Sequence, residues 1–256
     1  MLFYGADFIV KGGGRLAKYF GLSPIVIGLT VVAFGTSLPE LVVSIAAAIE
    51  GSSPIAIGNV VGSNIANVGL VLGLSSLIFP IKINLLQIKK DLIIYMFVCL
   101  MFSAFCMNGL ISREEGLVLF LSVLIYTWYS FYNSPKKSNN EVYNGKELSN
   151  LWSLYLLIIA GITLLSFGAN LFVKGAIDIA RYLGISEIVI GMTIVALGTS
   201  LPELATSVIA SFRKEHAISI GNIIGSNLFN LLSVIGIVSL VTPITCLLYT
   251  SDAADE

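Results

Sequence analysis

The sequence predicts an all-α membrane protein, on the basis of its composition, its apolar runs and an internal repeat. Hydrophobic residues make up 56% of the 256 residues and charged residues only 11%, and the mean hydropathy is +0.93. Soluble domains carry about 25% charged residues, so the composition excludes that class. Apolar runs of about 20 residues recur along the chain, and a helix needs that length to cross a bilayer. The expected surrounding is therefore the lipid bilayer, and no nucleic-acid partner is expected.

About eight helices are expected from the apolar runs and the turn signals between them. They lie near 1–11, 24–49, 55–79, 91–109, 115–133, 151–173, 187–212 and 217–243. The segments 11–23 and 174–186 are predicted to be short amphipathic links at the membrane interface. The most polar connection, 133–150, is predicted to be an exposed linker between two halves of the chain.

An internal repeat relates these two halves. Residues 5–80 match residues 168–243 without a gap when the sequence is shifted by 163 positions. An odd number of helices, about five, separates each feature from its copy, so the two copies are predicted to have opposite orientations. Eleven of the 14 lysines and arginines fall on one side of this topology, the side of linker 133–150, and the positive-inside rule makes that side cytoplasmic. Transporters are often built this way, so the predicted fold is an inverted-repeat transporter bundle.

Two glutamates, Glu40 and Glu203, fall inside predicted spans and occupy matching places in the repeat. A lone carboxylate in a membrane helix costs about 2.5–3.5 kcal/mol, so a bound cation is the expected partner. Thr36 and Ser37 precede Glu40 by four and three residues and share its helix face. Pro39 lacks an N–H group and disfavours a regular helix before it, which predicts a broken helix with free carbonyls. Hydroxyl, carbonyl and carboxylate oxygens suit hard ions such as Na⁺ and Ca²⁺.

A second motif, GNxxGSNxxN, follows each glutamate. Asn59, Ser63 and Asn67 are four residues apart and form a polar stripe on an apolar helix. The second copy places Asn222, Ser226 and Asn230 in the same way. The glycines of the motif are predicted to allow close helix contact, and they are Gly58, Gly62, Gly221 and Gly225. Two broken helices and two stripes are therefore expected to form one cluster.

The paired GTSLPE and GNxxGSN motifs resemble the two alpha repeats of the sodium/calcium exchanger family, within the cation/calcium antiporter superfamily. The resemblance covers nearly the whole chain and is closest to prokaryotic members. It implies ten spans, of which about eight are expected in this chain. The implied function is secondary active antiport in the cell membrane, in which Na⁺ entry drives Ca²⁺ export by alternating access. No cofactor and no enzymatic step are implied, because the ions are the substrates.

The resemblance also implies which residues bind the ions. The implied principal calcium ligands are Glu40 and Glu203. The implied sodium ligands are the hydroxyls of Thr36, Ser37, Ser63, Thr199, Ser200 and Ser226 and the carbonyls of Ala33 and Ala196. Asn67 and Asn230 complete the centre of the implied site. Some family members carry aspartate at the position of Asn230, so the ion count at the centre and the involvement of a proton stay open.

Other interpretations of the motifs remain at this stage. Glycine, serine and proline in membrane helices often serve packing and kinks, and the asparagines are suited to hydrogen bonds between helices. A proton/calcium antiporter of the same superfamily is the alternative function. Those relatives usually carry asparagine in the helix break, where this chain has Thr36 and Ser37. An intramembrane enzyme is a remote alternative, since no HExxH motif, Ser/His pair or phosphate loop is present.

The expected organisation follows from the repeat. The first half is 1–132, with its alpha motif at 24–80, and 133–150 is the cytoplasmic linker. The second, inverted half is 151–245, with its alpha motif at 187–243, and it is expected to be truncated. The last residues, 246–256, leave the apolar pattern, resemble translated adapter sequence and are expected to be a non-native tail. Nothing in the sequence indicates an oligomeric state.

Overall fold

The computed structural model of the chain describes residues 1–81, 84–134, 151–185 and 196–246, and most of them are helical. The linker 133–150, the first part of the predicted helix 187–212 and the tail 246–256 therefore lie largely outside the described residues. The fold is an all-α bundle, as the sequence predicts.

Ten helices and two short strands are described. The helices are α1 (Leu2–Phe20), α2 (Pro24–Thr36), α3 (Leu38–Ile49), α4 (Ser53–Ala66, continued by Asn67–Leu72 and Gly73–Ile78), α5 (Leu85–Cys106), α6 (Arg113–Tyr132), α7 (Leu151–Tyr182), α8 (Ala196–Thr199), α9 (Leu201–Phe212) and α10 (His216–Phe229, continued by Asn230–Val234 and Ile235–Val241). The strands β1 (Leu110–Ile111) and β2 (Ile244–Thr245) pair antiparallel.

Four described helices, α4, α6, α7 and α10, are long and apolar enough to cross a membrane. The pair α2 and α3 makes a fifth candidate if it counts as one span, although it is bent by 43° at the break between the two helices. Large apolar side chains such as Leu77 and Leu156 lie exposed on the outside of the bundle. Such a surface is stable only where lipid covers it.

The predicted interface links 11–23 and 174–186 are wrong as separate elements, because α1 and α7 continue through most of them. Three consecutive glycines do not end α1, since the helix packs closely on α7 there. A Cβ atom at Gly12 would lie 2.7 Å from the side chain of Ile158. The helix ends instead at Gly21, whose φ of 65° is a left-handed conformation that glycine adopts without strain.

Helix α10 lies in the core of the bundle and crosses α2 at backbone contact distance. A Cβ atom at Gly225 would lie 2.5 Å from the carbonyl oxygen of Leu29, and one at Gly221 would lie 2.6 Å from that of Ile25. The predicted close approach is therefore confirmed for Gly221 and Gly225. For Gly58 and Gly62 it stays a prediction, because most of the segment that the repeat places against them lies outside the described residues.

Candidate cation-binding site

Both predicted helix breaks are present, and they have the same backbone conformation. Ser37 separates α2 from α3 with φ −84° and ψ 3°, and Ser200 separates α8 from α9 with φ −85° and ψ 3°. Each proline lies two residues after the break, within the first turn of the second helix. The breaks therefore place Glu40 and Glu203 in the first turns of α3 and α9, inside the protein.

The first helix break meets the polar stripe of the other repeat. The Thr36 hydroxyl donates to Asn222 Oδ1 at 3.1 Å and lies 3.3 Å from the Ser226 hydroxyl. The neighbouring Ser37 hydroxyl donates to Glu203 Oε1 at 3.2 Å. The break of the first repeat therefore forms one half-site with the glutamate and stripe of the second.

The second helix break repeats the threonine contacts of this arrangement with the roles of the halves exchanged, but Ser200 makes no hydrogen bond to Glu40. The Thr199 hydroxyl donates to Asn59 Oδ1 at 3.3 Å and lies 3.4 Å from the Ser63 hydroxyl. These distances match those of the first half-site. Sequence shows only that the motifs recur; the structure adds that each half-site contains parts of both repeats.

The stripe asparagines also tie α4 to α3 and α10 to α9. Asn59 Nδ2 donates to the backbone oxygen of Glu40 at 3.2 Å and to the Ser44 hydroxyl at 2.9 Å. In the second copy, Asn222 Nδ2 donates to the backbone oxygen of Glu203 at 3.4 Å and to Ser207 at 3.1 Å. Sequence reasoning missed both serines. The signal was available, because Ser44 and Ser207 are separated by the repeat shift.

Asn67 and Asn230 lie at equivalent places, each at the start of a wide π-helical turn. Their side-chain NH₂ groups donate to Asn227 Oδ1 at 3.0 Å and to Asn64 Oδ1 at 3.1 Å, respectively. Sequence reasoning missed Asn64 and Asn227 as partners of the site, although the duplicated GSN motif contains them. Turns of this type often occur at functional sites in membrane helices.

Ala33 lies next to the first break, and its carbonyl accepts from the Ser37 amide at 3.0 Å. The Thr36 hydroxyl lies 3.2 Å from the same oxygen, but it has a single proton, which it also directs at Asn222 Oδ1. Ala196, the repeat partner of Ala33, is the first residue of α8, and the residues before it lie outside the described part of the chain. The Ala33 carbonyl is therefore already partly paired.

Several buried oxygen atoms in this cluster have no hydrogen-bond donor among the described residues. They are Glu40 Oε1 and Oε2, Glu203 Oε2, Asn67 Oδ1, Asn230 Oδ1 and Ser200 Oγ. All five residues are essentially inaccessible to solvent. Buried polar atoms in native proteins are nearly always paired, so six unpaired oxygens in one cluster indicate a missing partner with positive charge.

No basic side chain fills this role within the described ranges. The ion pairs recorded there join Asp7 to Lys11 and to Arg213, away from both glutamates. The described residues also contain no cluster of three or more acidic, histidine or cysteine side chains. Two carboxylates with hydroxyl and amide oxygens provide the ligands that hard cations prefer. Because only two of these ligands are charged, the site is suited to binding a cation reversibly.

Comparison with known proteins places the chain in a family. Residues 1–132 and 153–253 match the family model described as sodium/calcium exchanger protein. The chain belongs to the sodium/calcium exchanger family. Members of this family are transporters, so the chain is not an enzyme.

Individual exchangers and antiporters resemble the chain over most of its length. The putative antiporter CaxA of Alkalimonas amylolytica is 37% identical over 251 residues, which are 95% of this chain and 78% of CaxA. The sodium/calcium exchanger MaX1 of Methanosarcina acetivorans is 36% identical over 284 residues, covering 94% of this chain and 80% of MaX1. A solved structure of the sodium-calcium exchanger NCX_Mj, soaked with 10 mM Na⁺ and no Ca²⁺, superposes with a TM-score of 0.83 at 39% identity, covering 95% of this chain and 80% of NCX_Mj.

Proposed function

We propose that the chain is an antiporter that exchanges Na⁺ for Ca²⁺ through the cluster around Glu40 and Glu203. The observation that carries the proposal is the set of six buried oxygens without donors. The proposed ligands are the two glutamates, the site hydroxyls and the two central asparagines. The hydroxyls are those of Thr36, Ser37, Ser63, Thr199, Ser200 and Ser226, the asparagines are Asn67 and Asn230, and the carbonyls of Ala33 and Ala196 contribute.

The chemistry of the site favours competition between the two ions. One Ca²⁺ ion offsets both carboxylate charges and satisfies the unpaired oxygens of Glu40 and Glu203 together. Na⁺ is also a hard ion and binds the same kinds of oxygen, but two Na⁺ ions are needed to bring the same charge. Sodium at high concentration therefore displaces calcium from a shared set of ligands, and alternating access converts this competition into exchange.

An opening beside the site supplies a route for the ions. A cavity of about 490 Å³ lies between α3, α7 and α8, and its mostly apolar lining includes Pro39 and Thr199 next to the two helix breaks. Asn170 and Lys174 line it farther along α7. The predicted topology places Lys174 on the extracellular side of the cell membrane and linker 133–150 in the cytoplasm. The proposed resting state is therefore open to the outside.

Uptake of ⁴⁵Ca²⁺ into proteoliposomes tests the proposal. Vesicles loaded with Na⁺ and diluted into Na⁺-free buffer should take up calcium, and vesicles loaded with K⁺ should not. Glu114→Gln is the matched control for Glu40→Gln, because Glu114 is an exposed carboxylate on α6. The control should exchange like the parent, and Glu40→Gln should not.

The proton-coupled alternative predicts a different outcome in the same vesicles. An imposed pH gradient without a sodium gradient would then drive calcium uptake, and loading with Na⁺ would have no effect. Such a result would refute sodium coupling while leaving the calcium site in place.

A further inference from the structure

Four buried asparagines connect the centre of the site across the two repeats. Asn67 donates to Asn227, and Asn230 donates to Asn64. All four side chains are at least nine-tenths buried. The outer pair, Asn64 and Asn227, has no unpaired atom, whereas the inner pair, Asn67 and Asn230, each keeps an unpaired Oδ1. The outer pair therefore accepts hydrogen bonds from the NH₂ groups of the inner pair, and the Oδ1 atoms of the inner pair stay available to a cation.

The orientation of the Asn64 amide is set by a backbone group. Asn64 Nδ2 donates to the backbone oxygen of Asn227 at 3.2 Å. A backbone carbonyl can only accept, so the NH₂ group of Asn64 must face it. Asn64 Oδ1 then faces the opposite way and accepts from Asn230 Nδ2. This bond in turn directs Asn230 Oδ1 away from Asn64, where no described residue donates to it.

The second pair uses a side chain from α5 in place of the backbone. Asn227 Nδ2 donates to the Tyr95 hydroxyl at 3.3 Å, and Asn227 Oδ1 accepts from Asn67 Nδ2 at 3.0 Å. Tyr95 lies outside the four motif segments, so the repeat pattern does not reveal it. A hydroxyl both donates and accepts, so Tyr95 contacts Asn227 without fixing its orientation as firmly as a backbone carbonyl does. With Asn67 donating to Asn227, Asn67 Oδ1 is left without a donor among the described residues.

This orientation has a direct consequence for a cation. The oxygen and NH₂ ends of an amide are nearly identical in shape but opposite in charge. Rotation of Asn67 or Asn230 by half a turn would present hydrogen atoms to the ion and repel it. The acceptors on the outer side, Asn227 Oδ1 for Asn67 and Asn64 Oδ1 for Asn230, favour the orientation in which the NH₂ group points outward and the oxygen faces the ion.

We propose that Asn64 and Asn227 are positioning residues for ion binding, which hold Asn230 and Asn67 with their oxygens toward the cation, and that Tyr95 supports Asn227. This inference rests on the proposed function. It assigns no ion contact to Asn64, Asn227 or Tyr95, which act only through the inner pair.

A double-mutant cycle on the purified full chain tests the proposal by equilibrium ⁴⁵Ca²⁺ binding. Asn64→Leu should raise the calcium dissociation constant about tenfold, the loss expected from one buried hydrogen bond and its orientation. The same substitution in an Asn230→Ala background should change it less than about twofold. Alanine has no amide at this position for Asn64 to orient, whereas a packing role of Asn64 would be lost equally in both backgrounds.

Two further variants keep the test informative if Asn64→Leu does not fold. The effect of Asn227→Leu should likewise be smaller when Asn67→Ala is present. Tyr95→Phe should raise the dissociation constant about two- to threefold. Its matched control is Tyr126→Phe, which removes a hydroxyl that donates to Asp91 at 3.1 Å and not to the site.

The outcomes separate positioning from packing. Equal losses in both backgrounds would mean that Asn64 and Asn227 only fill space, and the proposal would be overturned. If Tyr126→Phe raised the calcium dissociation constant as much as Tyr95→Phe did, Tyr95 would have no specific role in positioning Asn227. Sodium-driven uptake is measured separately, so a parent that binds calcium without exchanging it counts against the proposed function and not against the positioning role.

Discussion

Replacing Glu40 by glutamine tests the central inference, that the buried carboxylates exist to bind a cation. Both oxygens of Glu40 are buried and lack donors, and Glu203 keeps one such oxygen. Removing one partner of a buried charge pairing costs about 3–5 kcal/mol. At about 1.4 kcal/mol per factor of ten, calcium affinity should fall about 100- to 4,000-fold.

Thermal unfolding of the purified protein measures this loss without requiring transport. At a calcium concentration about 100 times the parent's Kd, binding stabilises the parent by about 2.7 kcal/mol. With affinity at least 100-fold weaker, Glu40→Gln gains about 0.4 kcal/mol or less. The calcium-induced rise in Tm should therefore be about 5–10 °C for the parent and about 1 °C for the variant.

The calcium-free proteins provide a second, opposite expectation. Glu40 accepts no hydrogen bond through its carboxylate, whereas Glu203 accepts one from Ser37. Without calcium, Glu40→Gln should therefore raise Tm, and by more than Glu203→Gln does, because it removes the charge with less compensation. The exposed control Glu114→Gln should leave the calcium-induced shift unchanged and should not raise the calcium-free Tm, because its carboxylate in the first turn of α6 stabilises that helix slightly. A Glu40→Gln protein with the parent's calcium-induced shift would refute the reasoning, since the carboxylate would then not be a ligand.

Three other substitutions have expected outcomes. Gly225→Ala brings a methyl group within 2.5 Å of a backbone oxygen of α2. Unfolding scans should therefore show a free energy of unfolding lower by about 1–3 kcal/mol, whereas the control Gly73→Ala, whose Cβ meets no described atom within 4 Å, should show no such loss. Ser200→Ala removes a buried hydroxyl that has no partner among the described residues. The sodium-free protein should be equally or more stable, while the sodium concentration that half-saturates exchange should rise several-fold. Asp7→Asn removes the buried carboxylate that pairs with Arg213. The Tm should therefore fall by several degrees, and an unchanged Tm would contradict this expectation.

Much of the site could be predicted because its chemistry is unusual for a membrane. Glu40 and Glu203 stand out from apolar surroundings, and the proline after each break accounts for the interruption of the helix. The repeat then supplies the second copy of every motif. These features depend on residue type and spacing, which a single sequence contains.

The pairing of the segments could not be predicted from the sequence. Whether Thr36 meets Ser63 or Ser226 depends on how the two halves pack, and a shift of 163 residues is compatible with both. The same limit explains why Asn64 and Asn227 were missed, since an asparagine that orients another asparagine has no distinct spacing. The continuation of α1 beyond residue 11 was missed because its glycines are placed by contact with α7.

The exchange of partners between the halves also bears on how the protein is made. Thr36 finds Asn222 and Ser226 only after the ribosome has synthesised nearly two hundred further residues. Until then Glu40 lies in the membrane without Glu203, the second carboxylate of the proposed site, which no earlier segment contains. In the proposed function, calcium can therefore bind and stabilise the protein only after both halves have been synthesised. A defect that delays docking of the second half should produce protein that has inserted fully, yet remains unable to hold an ion and exposed to quality-control proteases.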